Sequence, residues 1–250
     1  MPTAITSDLN SILRFRKLIK IENKDCLEFL KTVKDNSVDL ILTDPPYDIS
    51  KDSGFSQGKL EMLKRYKTDF GDWDHCTVDI AEVIKECFRV LKKSGTLICF
   101  YDVWKITTLK DLMESSGFSQ LRLIEYLKTN PVPVNSKVNY LTNCREIALV
   151  GVKGSKPVFN SEYDNGVYEY PICADKGRFH PTQKPLELFK ELVRKHSVKG
   201  SLVLDCFSGS GTTAAACKIL ERDFIGCEIS PEFYEKSLER LKSLDFCLEF

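Results

Sequence analysis

Seven short runs along the chain are apolar throughout or alternate apolar with polar: KLIKI (17–21), VDLILT (38–43), TLICF (96–100), LRLIEYL (121–127), EIALVG (146–151), LVLDC (202–206) and FIGCE (224–228). Several would be apolar on both faces, the pattern of strands covered by helices on each side. Between them the period changes. In 78–92, Ile80, Val83, Ile84, Cys87, Phe88 and Leu91 recur at helical spacing. After Pro185, Leu186, Phe189, Leu192 and Val193 do the same, and Gly200 closes the segment. Ser230-Pro231-Glu232 opens a last helix with a cap, a proline and an acid in the first turn. Strands alternating with helices predict an α/β fold with a mainly parallel sheet. Two stretches interrupt the alternation. Residues 48–75 are polar and charged, too long for an ordinary connection, and 152–181 are rich in Gly, Pro, Asn and Tyr.

Bulk properties narrow the class. A chain of 250 residues suits a single domain spanning 1–250. The 36 Lys and Arg balance 36 Asp and Glu, so the chain is not basic all over. Residues 176–199 nonetheless carry seven Lys or Arg against two Glu, a patch able to meet phosphates. The ten cysteines form no CxxC pair, and most sit in apolar runs, as reduced thiols acting as small hydrophobes do. The three histidines lack metal-ligand spacing, so no metal is expected. No apolar run approaches the ~18 residues of a membrane span, and the N-terminal stretch lacks a secretory apolar core. A cytoplasmic location, with no membrane partner, is the expectation.

Two motifs carry chemistry. In LVLDCFSGSGTTAAACKIL a strand runs into a glycine turn and a helix. Gly209, Gly211 and Ala214 make a G-x-G-x-x-A pattern, and Glu228 ends the next strand, where an acid commonly grips a ribose diol. The unit reads as a nucleoside-binding half-site, with the choice between a dinucleotide and another adenosine cofactor open. The second motif is Asp44-Pro45-Pro46-Tyr47 after VDLILT. Asp44 falls at the carboxyl end of a parallel strand, the edge where open α/β sheets hold ligands. The prolines fix the backbone and leave carbonyls as acceptors, and Tyr47 offers a flat face. Two acceptors and a stacking wall fit an exocyclic amine on a planar ring.

DPPY, FSGSGT and HPTQKP (180–185), in this order, resemble the S-adenosylmethionine-dependent amino-methyltransferases of DNA. The glycine loop follows DPPY, a circularly permuted order similar to the β class. The resemblance implies a Rossmann-like, mixed but mainly parallel seven-stranded sheet with helices on both faces. It implies S-adenosylmethionine held by Asp25, Cys26, Asp44, Thr182, Lys184, Pro185, Asp205, Phe207, Gly209, Gly211, Thr212 and Glu228, with Asp25 on the adenine amine and Lys184 on the methionyl carboxylate. The catalytic set it implies is Asp44, Pro45, Pro46 and Tyr47, gripping and stacking a base flipped from double-stranded DNA. DPPY accompanies adenine N6 in this family. The alternatives are cytosine N4, an RNA or protein amide, and a non-catalytic nucleic-acid-binding subunit.

DNA reading is the thin part of the match. Residues 152–179 make a short target-recognition insertion, and 48–75 a DNA-facing loop or lid. Lys59, Lys64, Arg65, Lys67, Arg145 and Arg178 are the candidate DNA contacts, with a structural ion pair as the alternative for Arg145. So small a reading surface calls for help from that loop or from a second protomer in a homodimer. A cognate restriction endonuclease is the other partner that the resemblance suggests.

Overall fold

The computed structural model describes residues 18–46, 78–131, 142–173, 179–180 and 182–248. Tyr47, Lys59, Lys64, Arg65, Lys67, Arg178 and the whole of 48–75 lie outside the described residues. One sheet holds β1 (Ile19–Asn23), β2 (Val38–Thr43), β3 (Leu91–Tyr101), β4 (Ser119–Lys128), β5 (Arg145–Val152), β6 (Val167–Tyr170), β7 (Leu202–Asp205) and β8 (Asp223–Glu228). Their spatial order is β1-β8-β7-β2-β3-β5-β4-β6. Strand β5 runs against β3 and β4, and the other neighbouring pairs are parallel.

The sheet therefore has eight strands where the sequence predicts seven. The addition, β6, falls inside the segment expected to be a recognition insertion. Its four residues, VYEY, are too few to stand out by alternation, and pairing with β4 makes the strand. The excursion before β6 is fastened to the helix that follows Pro185. Lys195 lies 2.6 Å from both Asp164 and Glu191, and the Tyr168 hydroxyl donates to Asp164 at 3.1 Å.

Among the described residues six helices cover the sheet: α1 (Cys26–Thr32), α2 (Ile80–Val90), α3 (Ile106–Ser115), α4 (Leu186–His196), α5 (Thr212–Leu220) and α6 (Pro231–Leu248). Strand alternation sorts them onto two faces. Leu40, Leu42, Ile98 and Phe100 pack with Leu188, Phe189 and Leu192 of α4 and Ala214 to Cys217 of α5. Ile41, Leu97 and Cys99, pointing the other way, meet Phe29 and Leu30 of α1, Ile84 and Cys87 of α2, and Leu109 and Met113 of α3. Truncating a side chain as buried as Ile41 to alanine costs about 2–5 kcal/mol. Among the described residues the eight cysteines are unpaired and six are buried, as small hydrophobes would be.

Connection direction fixes where a ligand can sit. From β2 the chain crosses through α2 to β3, and from β7 it crosses through α5 to β8, on the opposite side. Strands β2 and β7 are neighbours, so their carboxyl ends flank the point where the winding reverses. A crevice opens at such a point in α/β sheets. Asp44 follows one strand and Asp205 ends the other. Among the described residues, no helix is long and apolar enough to cross a membrane.

Candidate active-site cleft

A cleft of about 960 Å³ lies at this reversal. One side is lined by Asp25, Cys26, Asp205, Phe207, Gly209, Thr212 and Glu228, with His180, Thr182 and Phe233 closing over it. The other is lined by Pro45, Pro46, Tyr101, Trp104, Tyr126, Lys128, Arg145 and Glu146. Asp44, Lys184 and Pro185 lie along the seam. The described candidates from the sequence thus meet in one cleft, except Gly211, which is not part of its lining.

The glycine-loop side is a set of backbone turns braced by buried polar groups. Asp205, 4% exposed, accepts from Thr43 Oγ1 (2.8 Å) and Phe207 N (3.0 Å) at one oxygen and from Thr213 Oγ1 (2.6 Å) at the other. Its carboxylate ties β2, the glycine turn and the first turn of α5 together. Burial pushes its carboxyl up to about 6. Glu228 accepts from Gly209 N (2.7 Å) with one oxygen and from Ser230 N (2.9 Å) with the other. Burial raises this carboxyl too. Gly211 turns the chain at φ 70°, and a Cβ there would stand 3.1 Å from the Ser237 side chain, so only glycine suits the position. Under the turn, a Cβ on Gly226 would meet Asp205 O at 2.6 Å.

Helix α5 starts at Gly211 without a side-chain cap. Thr212 and Thr213 of its first turn line the cleft, and the positive end of a helix favours an anionic group. The Thr212 hydroxyl is taken up by Ser210 Oγ (3.0 Å) and by Arg240 Nη1 (3.0 Å) of α6. On the same side Asp25 caps α1, accepting from Leu27 N (2.9 Å) and Glu28 N (3.2 Å) at a single oxygen. Burial pushes the Cys26 thiol up to about 12, so it stays protonated. His180 Nδ1 accepts from Thr182 N at 3.3 Å and contacts Thr182 Oγ1 at 3.2 Å, which orders the HPTQKP turn; its ring packs on Phe233.

The far side is built from charges. The Lys184 ammonium, on a residue 7% exposed, pairs with Asp44 Oδ2 and lies 3.0 Å from Glu146 Oε2. Glu146 Oε1 in turn is 2.7 Å from Lys128 Nζ. Burial works against the Lys184 charge, but Asp44 and Glu146 outweigh it and hold the ammonium well above the usual lysine range. Burial likewise opposes the Glu146 charge, and Lys184 and Lys128 overcome it, leaving the carboxyl below its ordinary value. Beside them the Tyr126 hydroxyl is buried with no hydrogen-bond partner among the described residues, and burial pushes it up to about 12.

The resemblance implies a cofactor carboxylate as the partner of Lys184; in the structure its ammonium stands against two carboxylates of the chain itself. Arg145 donates to Glu125 Oε1 at 2.6 Å on the rim. Reasoning from the sequence passed over Tyr126, Lys128 and Trp104. The first two stand in a strand that looks like ordinary core. Trp104, 89% exposed at the cleft mouth and with its amide donating to Asp102 Oδ1 (3.0 Å), had only its place after an apolar strand as a signal.

The DNA methylase family profile matches residues 38–239, most of the chain and both sides of the cleft. The Type II methyltransferase M2.MboI of Moraxella bovis is 31% identical over 246 residues, covering 90% of this chain and 88% of the relative. M.HinfI of Haemophilus influenzae is 30% identical over 274 residues, covering 98% and 71%. Among solved structures, the M1.HpyAVI–SAM complex superposes with a TM-score of 0.67 at 30% identity, over 89% of this chain and all of that one. The cytosine-N4-specific PvuII DNA methyltransferase shares the fold, with a TM-score of 0.68 at 19% identity over 90% of this chain and 89% of that one. With the motifs brought to one cleft at the winding reversal, this chain belongs to the DNA methylase family of the N6/N4 class.

Proposed function

We propose that the protein moves a methyl group from S-adenosylmethionine to the N6 amine of an adenine flipped out of duplex DNA. The observation that carries it is the place of Asp44, at the winding reversal between the glycine turn and a second, charge-lined recess. The residues of the glycine-loop side fit the cofactor. Phe207 and Phe233 offer apolar walls, Asp25 and Glu228 bring carboxylates toward amine and hydroxyl groups, and the uncapped end of α5 suits a carboxylate. The cofactor supplies an electrophilic methyl on a sulfonium, so the protein needs no nucleophile of its own.

On the other side, Asp44 and the Pro45 carbonyl accept the two amine hydrogens and turn the nitrogen lone pair toward the cofactor side. Tyr47 supplies the stacking wall, and Pro45 and Pro46 hold the acceptors rigid. The proton released from the methylated nitrogen is taken at the Asp44 carboxylate. Alignment and fixed charge then supply most of the acceleration. An aspartate at the head of PPY is what favours adenine over cytosine. The relatives are Type II methyltransferases, so a restriction–modification setting with a cognate endonuclease belongs to the same proposal.

Incubation with methyl-labelled cofactor and separate DNA, RNA and protein substrates, followed by nucleoside analysis, tests it. Label in N6-methyladenine of DNA is expected. Label in N4-methylcytosine alone would overturn the adenine assignment, and no transfer to DNA would overturn the whole.

A further inference from the structure

We propose that Lys184 is a positioning residue for the base-gripping slot, fixing the Asp44 carboxylate through a partly buried charge ladder with Glu146 and Lys128, and is not the partner of the cofactor's carboxylate. The proposal deepens the methyl-transfer reading above and rests on it. The ladder joins four separate pieces of the fold: the turn after β2, the residue before Pro185 at the head of α4, the first part of β5 and the last residue of β4. Its charges alternate, Asp44, Lys184, Glu146, Lys128, and sum to zero. Each neighbouring pair is in contact, with 3.0 Å for Lys184–Glu146 and 2.7 Å for Glu146–Lys128.

Two arguments separate this from a cofactor-binding role. The Lys184 ammonium already meets two carboxylates and lies 5.3 Å from the centroid of the Phe100 ring, on a residue only 7% exposed. A third carboxylate would leave three anions around one cation in a poorly solvated place, where unbalanced charge is expensive. The cleft also has another seat for that carboxylate, the uncapped N-terminus of α5 on the glycine-loop side. What the slot lacks without Lys184 is orientation. Asp44 ends a strand and turns about two side-chain bonds, while gripping an amine requires one setting of its plane. A lysine anchored from the opposite side by Glu146 selects that setting.

The test combines cofactor binding with turnover, on Lys184→Met and on the charge-balanced double variant Lys184→Met/Glu146→Gln. Binding is measured by calorimetry with S-adenosylhomocysteine and with methylthioadenosine, which lacks the amino-acid carboxylate. The ratio of the two affinities is expected to stay at the wild-type value in both variants. Turnover on DNA by Lys184→Met is expected to fall about 10²-fold, the scale of a misplaced reacting group. The loss should fall on kcat, with the KM for S-adenosylmethionine unchanged, and Lys184→Arg, which keeps the cation, should restore part of it. The double variant leaves no unpaired charge from Glu146, so it carries the binding comparison if the single variant does not fold.

A collapsed affinity ratio would overturn the proposal by giving Lys184 to the cofactor. Wild-type turnover in Lys184→Met, or a loss confined to the KM for S-adenosylmethionine, would overturn it as well. Wild-type protein that methylates no DNA would instead break the methyl-transfer reading, while the affinity ratio would still decide whether Lys184 serves the cofactor.

Discussion

The two sides of the cleft are built on different principles. The glycine-loop side comes largely from one stretch of chain, Asp205 to Glu228, and its polar side chains hold backbone. Asp205 and Glu228 accept from the amides of Phe207, Gly209 and Ser230, so their carboxylates shape the turn that receives a ligand. The far side is assembled from Asp44, Lys128, Glu146 and Lys184, which lie up to 140 positions apart, and its side chains hold one another. A contiguous backbone cradle suits a cofactor that is always the same. A ladder of charges holding a single carboxylate suits a reacting group whose orientation decides the rate.

Asp44→Ala is the sharpest blow to that division. It takes an acceptor from the slot and leaves the glycine turn untouched. Turnover on DNA is expected to fall about 10³-fold, comparable with deleting one preorganised polar group at a reacting centre. Calorimetric binding of S-adenosylhomocysteine should be unchanged. Comparable losses in both would mean that the two sides do not work separately.

Asp205→Asn probes the other side through stability. The folded chain holds the Asp205 proton up to about pH 6, against an ordinary value of 3.8, because ionising it in the interior is unfavourable. Stability from this group is therefore complete below the ordinary value and is lost as pH rises through about 6. The amide keeps an acceptor for Thr43 and Phe207 and offers Thr213 a donor, without a titration. Urea unfolding is expected to show the wild type losing up to about 3 kcal/mol between pH 4 and pH 7 relative to the variant. Parallel pH curves for the two proteins would place the Asp205 charge in a better-solvated setting than its burial implies.

The same contrast explains what the sequence could announce. The glycine turn is legible because positive-φ positions, a helix start and a terminal acid occur at fixed spacings within one short segment. Asp44-Pro45-Pro46 is legible because prolines after an apolar strand are rare for a physical reason, the missing donors. The ladder is not, since nothing along the chain ties residue 128 to 146 or 184; their meeting depends on β5 running antiparallel between β3 and β4. Alternation placed the strands well where both faces are covered. It passed over β6, whose identity comes from its partner, and it stopped β3 short. There Leu91, read as the last turn of a helix, instead pairs with Val38 at the start of the strand.

Glu228→Gln should act more gently than either acid above. The carboxylate takes one amide at each oxygen, and a side-chain amide has only one oxygen to accept with. Losing one hydrogen bond to a charged group costs about 1.5–3 kcal/mol, part of which falls on the ligand-bound form. S-adenosylhomocysteine affinity is expected to drop about tenfold, with the pH profile of turnover unchanged, because the far side keeps all of its charges. A shift in that profile would tie Glu228 electrostatically to Asp44.

Arg145→Ala gives the smallest effect and tests the outer edge of the base side. The guanidinium donates to Glu125 across β4 and β5, yet its side chain is 64% exposed, so the pair contributes at most about 1 kcal/mol. The dense row of phosphates along DNA, set against one screened carboxylate, can draw the arginine away at little cost. Stability should thus stay nearly constant in the variant, while the slope of log DNA affinity against log salt becomes shallower by about 0.9, the signature of one lost phosphate contact. An unchanged slope would leave Arg145 as a cross-strand brace. The positive charge that meets DNA would then have to come from elsewhere on the rim.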